Sequence, residues 1–507
     1  MSHPARAKRV IDVQERPVVV VGLAREGVAL ASYLARRGAR VIATDLKPAS
    51  AFGDQLAALA QLGVELALGG HPPSLLKGCE LVFVSPGVPF DAEFLNEARA
   101  RGIPLSTESR LFCQQCCAPI VGITGSSGKT TTTTLVGEML KAAGWTTWVG
   151  GNIGQPLIEV VDQIQADDQV VMELSSFQLN YFHPSVNAHV TSAQLAWLPL
   201  LAGWSPEVAA LLNITPNHLD RHPSMADYIH AKRAIVAYRR PGSVAVLNLD
   251  DEATRALADT LAAPVHWFSR LAPVERGAYL AGQGGQAQLV VRREAGQQAV
   301  CRLNEVRLRG EHNLSNLLAA CAIADALGVP LEAMRQVCTT FAGVSHRLEL
   351  VGEIDGVRYY NDSIATSPER LIAALKSFEE PLVLLAGGRD KHLPWEEAAR
   401  LIVQRTRHVV LFGEATELIA QALAKVQAGK PTDSPMIHRC VTLEDAVCVA
   451  AQVARPGDVV LLSPGCTSFD AFRDFAERGE HFRQAVERLS TPGGCFPDRT
   501  RQTGKRL

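Results

Sequence analysis

The chain has 507 residues, 47% of them hydrophobic, with a formal net charge of −2; it is too long for one core, calls for about three domains at roughly 100 to 200 residues each, and has no basic footprint for nucleic acid. Its eleven cysteines follow neither the spacing of a disulfide framework nor that of a zinc site, so reduced thiols are expected. No stretch reaches the ~18 uninterrupted apolar residues of a membrane span, and the polar, basic start MSHPARAKRVIDVQER lacks an apolar h-region, which predicts a soluble cytoplasmic protein that is not membrane-embedded.

The first segment, 1–118, alternates apolar strands with helical runs. PVVVVG leads into a helix through AREGVALASYLARRG, with Gly38 as its stop, and ARVIATD follows as a second strand, making a βαβ unit. Ala24 stands between Gly22 and Gly27 where a dinucleotide fingerprint wants its middle glycine, while Asp45 ends the second strand where a ribose-binding acid belongs. The signal for NAD is weak. Another nucleotide stays open, beside the plainer reading that any parallel α/β unit needs a glycine turn. Further on, the buried strand LVFV runs into Ser85-Pro86-Gly87 at its carboxyl end, where α/β ligands collect.

The second segment, 119–343, begins with PIVGI and then TGSSGKTTTTT. A strict nucleoside-triphosphate loop wants glycine five residues before its Gly-Lys, and Ile123 stands there instead. The physics survives: Gly125 and Gly128 let the backbone turn its N–H groups toward an anion, and Lys129 and Thr130 open a helix whose positive end faces the same point. The cradle spans Gly125, Ser126, Ser127, Gly128, Lys129, Thr130 and Thr131, with the later threonines ordinary helix residues. Leu135, Val136, Met139 and Leu140 recur at helical spacing until Gly144. After GGNIG comes VVMELSSFQL, a strand that ends in Glu173, an acid placed to hold Mg²⁺ on phosphates. NITPNHLDRH then crowds His218, Asp220, Arg221 and His222 before a helix bearing Lys232.

The third segment, 344–490, opens with SHRLEL and YYNDSIATSPERLIAAL, continues through PLVLLAGGRDKH, and closes with DVVLLSPGCTSFDAFRDFAERGEHF. Strand ends here repeatedly deliver small and charged residues, as where the carboxyl edge of a parallel sheet faces a ligand. Residues 491–507 are expected to be a tail.

TGSSGKTTT, GNIG, ELSSFQL, NITPNHLDRH with AK, GEHNLSN, HR, NDSIATSP, GGRDK and LLSPGCTSFDAF resemble, in order and across nearly the whole chain, the Mur ligases of peptidoglycan synthesis. The last motif and NDS-x-AT are similar to the D-glutamate-adding branch of that family. The resemblance implies an α/β protein of three domains: a Rossmann-like amino-terminal domain for the uridine nucleotide, a central P-loop ATPase domain with a mainly parallel sheet, and a Rossmann-like carboxyl-terminal domain for the amino acid. It implies ATP with two Mg²⁺ sites, the substrates UDP-N-acetylmuramoyl-L-alanine and D-glutamate, and a protein that works as a monomer.

By the same resemblance Lys129 meets the β/γ-phosphates, Thr130 and Glu173 serve one Mg²⁺ and His218 a second. Lys232 matches a lysine carbamylated by carbon dioxide to an anion that orients the metal; a free amine near pKa 10.4 is neutral only about 0.1% of the time at pH 7. Asn313 and Asn316 would contact the adenine, Arg347 the phosphates and Asp362 the ribose. Asp45, Ser85, Pro86, Gly87 and Asn152 would sit at the UDP-substrate, and Thr366, Lys391, Ser468, Phe469 and Phe475 at D-glutamate.

Two departures stand out. Many relatives carry lysine where this chain has Ile364, so a positive charge near the phosphates or D-glutamate is missing or comes from elsewhere. Between ELSSFQL and NITPNHLDRH lies an unusually long link, about 184–206, with Leu195, Trp197, Leu198 and Trp204; a surface insertion tucked against the domain is expected, ahead of a substrate cover or partner surface. A sibling ligase or folylpolyglutamate synthase, which shares the central loop but has different carboxyl-terminal signatures, and a nucleotide-sugar binding or sensing protein that has lost catalysis are the competing readings; joint retention of Lys129, Glu173, His218 and Lys232 opposes the last.

Overall fold

The computed structural model describes residues 12–490 apart from 53–54, 192–202, 220, 262–264, 309, 392 and 428–434. The segment 491–507, Asp220 and the insertion residues Leu195, Trp197 and Leu198 therefore lie outside the described residues. The backbone divides into two compact units: one runs to Arg307 and resumes over Glu311–Phe341, and the other takes the chain from Ala342.

The first unit holds two sheets. In the first, β1 (Pro17–Val21), β2 (Arg40–Asp45), β3 (Glu65–Leu68), β4 (Leu81–Val84) and β5 (Leu105–Ser106) lie in the order β3-β2-β1-β4-β5, all parallel. The run of valines in β1 is buried on both faces, as a central parallel strand requires. The helix Arg25–Arg36 turns Ala29, Leu30, Ala31 and Leu34 inward at helical spacing. It starts so close to β1 that a Cβ at Gly27 would collide with the Gly22 carbonyl, so the glycine serves close helix–strand packing.

The second sheet contains β6 (Ile120–Thr124), β7 (Thr147–Gly151), β8 (Gln169–Glu173), β9 (Val208–Leu211), β10 (Val244–Asn248), β11 (Val265–Ser269), β12 (Gly277–Ala281), β13 (Gln288–Arg293) and β14 (Gly296–Arg302), in the order β14-β13-β12-β11-β10-β9-β6-β8-β7. Only the last two joins, β12 to β13 and β13 to β14, are antiparallel. β6 and β8 are neighbours with Ile123 opposite Glu173, so the acid ending one strand stands beside the loop leaving the other. The helix Lys129–Ala142 follows that loop and buries Leu135, Val136, Met139 and Leu140.

These two sheets are joined through the flanks of the long link. Asn187 accepts from the Leu105 amide at 2.8 Å and donates to the Leu105 carbonyl at 3.0 Å, extending the polar edge of β5. Phe182 and Trp204 are buried with ring centroids 5.4 Å apart. Trp204, grouped in the sequence with the candidates for a cover or partner surface, is thus a core residue.

The second unit is built on β15 (Glu349–Ile354), β16 (Val357–Asn361), β17 (Leu382–Gly387), β18 (Thr406–Phe412), β19 (Met436–Arg439) and β20 (Val459–Gly465), ordered β15-β16-β20-β17-β18-β19. β15 is antiparallel to β16 and the rest are parallel. Apolar residues on the two faces of β17 and β20 enter separate cores, one with Leu371 and Ile402, the other with Val447 and Phe482. Helices on both faces explain why these strands read as continuous apolar runs.

Candidate active site

The phosphate-loop residues are held from several directions. Ser126 donates to the Thr215 carbonyl at 2.9 Å and lies 2.9 Å from the Tyr228 hydroxyl, and the Ser127 amide donates to Asn213 Oδ1 at 2.9 Å. Gly128 adopts φ +80° at the helix start, and a Cβ there would collide with Asn316 Oδ1. Glycine is needed twice at this position, for its backbone and for the approach of Asn316. Asn316 in turn donates to Asn313 Oδ1 at 3.1 Å, which brings the GEHNLSN motif to the loop from nearly two hundred residues away along the chain.

Lys129 curls back so that Nζ donates to the carbonyls of Gly125 at 2.9 Å and Ser126 at 3.2 Å. Thr130 Oγ1 donates to Glu173 Oε2 at 2.8 Å, and Asn152 Nδ2 donates to Oε1 at 2.8 Å. Thr131 is buried on the helix behind the loop. Two hard oxygen donors therefore meet at a helix N-terminus, an arrangement that suits Mg²⁺, which takes few protein oxygens alongside phosphate.

Lys232 is only 1% exposed. Its Nζ donates to the Gly125 carbonyl at 2.8 Å and to Thr124 Oγ1 at 3.3 Å, and lies 4.8 Å from the Tyr228 ring centroid. Burial, and next the Lys129 cation, hold its pKa well below the usual lysine value, against the pull of Glu173. His218 sits on an exposed turn at φ +55°, its ring edge-on to Phe177, which stacks flat on His222. His222 lies 2.9 Å from Ser176 Oγ, a contact that braces the turn.

In the amino-terminal sheet, Asp45 accepts from the Leu23 amide at 2.7 Å and the Lys47 amide at 2.9 Å, and Ser85 Oγ donates to the Gly22 carbonyl at 2.6 Å. The ends of β1, β2 and β4 are thus bound into one edge, with Pro86 and Gly87 at its rim. Arg221 reaches this rim from the central sheet, donating to the Gly87 carbonyl at 3.2 Å.

In the second unit Asp362 is buried, accepts from Ser463 Oγ at 3.0 Å and from the Leu348 amide at 3.3 Å, and is pushed up to about 7 by burial against those bonds and the charge of Arg347. Lys391 Nζ donates to Thr366 Oγ1 at 3.2 Å. Ser468 is buried, while Phe469 and Phe475 are exposed. Two residues that the sequence reading passed over belong here. Arg478, fully buried, donates to the Ser363 hydroxyl and carbonyl and to the carbonyls of Cys466 and Thr467. Arg370 donates to the Ile364 carbonyl at 3.0 Å. Its place in the first turn of the helix after the Asn361–Thr366 loop was the available signal.

Comparison with known proteins gives three family matches in chain order: the MurD-like amino-terminal domain over residues 16–107, the Mur ligase middle domain over 123–324, and the Mur ligase glutamate ligase domain over 346–466. A curated protein of Symbiobacterium thermophilum, named UDP-N-acetylmuramoylalanine--D-glutamate ligase, is 42% identical over 95% of this chain and 99% of its own. One of the same name from Pelotomaculum thermopropionicum is 40% identical over 94% and 98%. Among solved structures, the UDP-N-acetylmuramate-alanine ligase MurC of Thermotoga maritima superposes with a TM-score of 0.54 at 18% identity, covering 93% of this chain and 99% of that one. MurF of Acinetobacter baumannii gives 0.54 at 18% identity, over 92% and 93%. The two structural matches speak for the three-domain α/β fold.

Proposed function

The chain belongs to the Mur ligase family, and from that premise we propose that it joins D-glutamate to UDP-N-acetylmuramoyl-L-alanine with hydrolysis of ATP to ADP and phosphate, in the building of peptidoglycan precursors. The observation that carries the reading is full-length identity at about 40% to ligases of that name, combined with a braced phosphate loop beside Glu173. In this reading the domains meet at 118/119 and 343/344, and the enzyme works as a cytoplasmic monomer.

The substrate carboxylate is activated by phosphoryl transfer, and the neutral amine of D-glutamate attacks the acyl phosphate to form the amide. Such catalysis is mainly positioning and charge neutralisation. The loop amides and Lys129 receive the phosphates, the lysine leaving its two loop carbonyls to do so. Thr130 and Glu173 would hold one Mg²⁺ and His218 a second, and the metal supplies neutralisation of charge at the transferred phosphoryl group. Asn313 and Asn316 line the adenine side; Arg347 and Asp362 contribute to phosphate and ribose contacts. Asp45, the Ser85–Gly87 turn and Asn152 seat the UDP-substrate, and Thr366, Lys391, Ser468, Phe469 and Phe475 seat D-glutamate. Lys232 has the burial and depressed basicity that carbamylation needs, since a neutral amine is the form that reacts with carbon dioxide.

The test is direct. The purified chain is incubated with ATP, Mg²⁺, UDP-N-acetylmuramoyl-L-alanine and, separately, D-glutamate, L-glutamate and a diamino acid, and products are weighed by mass spectrometry. Only D-glutamate should be incorporated; incorporation of a different amino acid would overturn the reading.

A further inference from the structure

After Glu173 the chain leaves β8 for a short helix, Ser176–Asn180, and Gln178 on that helix is fully buried. Its carboxamide is held at both ends. Oε1 accepts from the Ser175 amide at 2.9 Å and the Ser175 hydroxyl at 3.0 Å, while Nε2 donates to Glu26 Oε1 at 3.0 Å and Ser109 Oγ at 2.8 Å. Ser109 donates in turn to Glu108 Oε2 at 3.3 Å, and Glu108 Oε1 accepts from the Ile158 amide at 3.2 Å. Glu26 lies in the first turn of the helix Arg25–Arg36 of the amino-terminal sheet, and Glu108 opens the helix Glu108–Gln115 that follows β5. Two segments flank the Glu173 carboxylate, one leaving it through Ser175 and the other bringing Asn152 to it ahead of Ile158. Both are therefore anchored on one buried chain of polar groups that reaches the amino-terminal sheet.

Two carboxyl groups stand in this chain. Among the described residues neither forms an ion pair, and Glu26 Oε2 is buried without a hydrogen-bond partner. The charged groups on the elements packed around them are directed elsewhere. Arg25 and Glu159 are exposed, Arg110 donates to the Tyr181 carbonyl, and Asp162 pairs with Arg37. Ionising both carboxyls would put two negative charges side by side in a dry junction with no cation paired to either. Burial accordingly raises Glu26 to about 7 and Glu108 to about 8, the charge of Glu26 adding to the second.

We infer that Gln178 is a positioning residue for Glu173, and that it holds the turn after β8 against the amino-terminal sheet only while the Glu26–Glu108 pair keeps a proton. The proton is present at low pH and is lost as pH rises through the folded-state values. The second charge then repels the first, and the chain that orders Ser175 loosens. For its effect on turnover the inference rests on the ligase reading above.

The experiment follows amide hydrogen exchange of the full-length protein, corrected for the intrinsic rate, at about pH 6.5 and about pH 9, on either side of the titration. In the wild type, exchange over residues 174–180 should be about ten-fold faster at the higher pH. Glu26→Gln, whose carboxamide is neutral at both values, should change by less than about two-fold. Over the same range the ratio of kcat in Glu26→Gln to kcat in the wild type should rise by about three-fold or more, with the ATP and D-glutamate KM values within about two-fold. Gln178→Met keeps the length of the side chain and removes its hydrogen bonds, so residues 174–180 should exchange fast at both pH values.

Equal pH dependence of exchange in Glu26→Gln and the wild type would overturn the inference, as would acceleration spread equally to β17 in the second unit, the mark of global loosening. A flat kcat ratio beside the expected exchange would show that Glu173 is not positioned through Gln178, and overturns it too. Should Gln178→Met fail to fold, the Glu26→Gln comparison decides alone. Absence of D-glutamate-dependent phosphate release in the wild type would remove the ligase reading, while the exchange comparison would still decide whether the proton holds the turn.

Discussion

Thr130 Oγ1 and Glu173 Oε2 share a 2.8 Å hydrogen bond across the carboxyl ends of two neighbouring strands, and the second carboxylate oxygen is taken by Asn152. The carboxylate is therefore fixed toward the loop by the protein's own side chains. Glu173→Gln keeps the shape and removes the charge. Turnover should fall by about 10²-fold or more, the scale for loss of one group that stabilises charge, and the Mg²⁺ concentration for half-maximal rate should rise. A magnesium titration on the variant decides: an unchanged curve rules out Glu173 as a partner of the metal.

How much of this was legible in the sequence depends on range along the chain. The strand, loop and helix around Gly128 were readable because periodicity, a glycine turn and a strand-end acid are local signals. The same holds for β1 and its helix. Arg478 was opaque: it serves Ser363, 115 residues away, and its neighbours read as an ordinary amphipathic helix. Lys232 was legible only through resemblance, because its helix carries no sign that this lysine points into the sheet end and not to solvent. Its burial follows from tertiary contact with Thr124 and the Gly125 carbonyl, with Tyr228 one turn earlier on the same helix beside it.

That burial has a chemical consequence. A solvated lysine is almost wholly protonated at neutral pH, whereas the Lys232 ammonium is disfavoured by desolvation and by Lys129, leaving a larger share of nucleophilic amine. Removing bicarbonate should lower wild-type activity, and adding it back should restore it. Lys232→Arg should stay inactive under both conditions, since guanidinium cannot form the same anion. Native mass spectrometry should find one added carbon dioxide on the wild type and none on the variant; full activity in carbon-dioxide-free buffer would sink the idea.

A second buried pair predicts the pH dependence of stability. Glu26 and Glu108 lie where the first two sheets meet, with Gln178 Nε2 donating to Glu26 Oε1 at 3.0 Å and to Ser109 Oγ at 2.8 Å, and the Ile158 amide donating to Glu108 at 3.2 Å. Burial pushes Glu26 up to about 7 and Glu108 up to about 8, the latter also through the charge of Glu26, with Arg25 the cation opposing both. Folded-state values above those of the unfolded chain mean that the folded protein binds more protons between about pH 4.5 and 8. Their contribution is fully present below that window and is lost as pH rises through it. Melting temperature should decline across this range, and Glu108→Gln should flatten the decline; a variant with the wild-type slope would show that the pair does not carry it.

Arg478 joins the two loops that carry several of the residues proposed to seat the amino acid. Its guanidinium donates to the Ser363 hydroxyl at 3.0 Å and carbonyl at 2.8 Å, and to the carbonyls of Cys466 at 3.2 Å and Thr467 at 3.0 Å. All four acceptors are neutral oxygens, so the group acts as a planar fork that fixes geometry, and burial lowers its pKa to about 10, which still leaves it charged at pH 7. Ser363 lies between Asp362 and Ile364, and Thr467 precedes Ser468, so one side chain sets the spacing between the two loops. Lysine offers three donors on a single nitrogen and cannot span both. Arg478→Lys should therefore leave buried carbonyls unpaired, at about 1 to 3 kcal/mol for each group left so, and the second unit should melt at a lower temperature. Because the loops are displaced and the phosphate loop is untouched, the D-glutamate KM should rise more than the ATP KM. Equal changes in both constants, or a variant as stable as the wild type, would mean that Arg478 does not set this spacing.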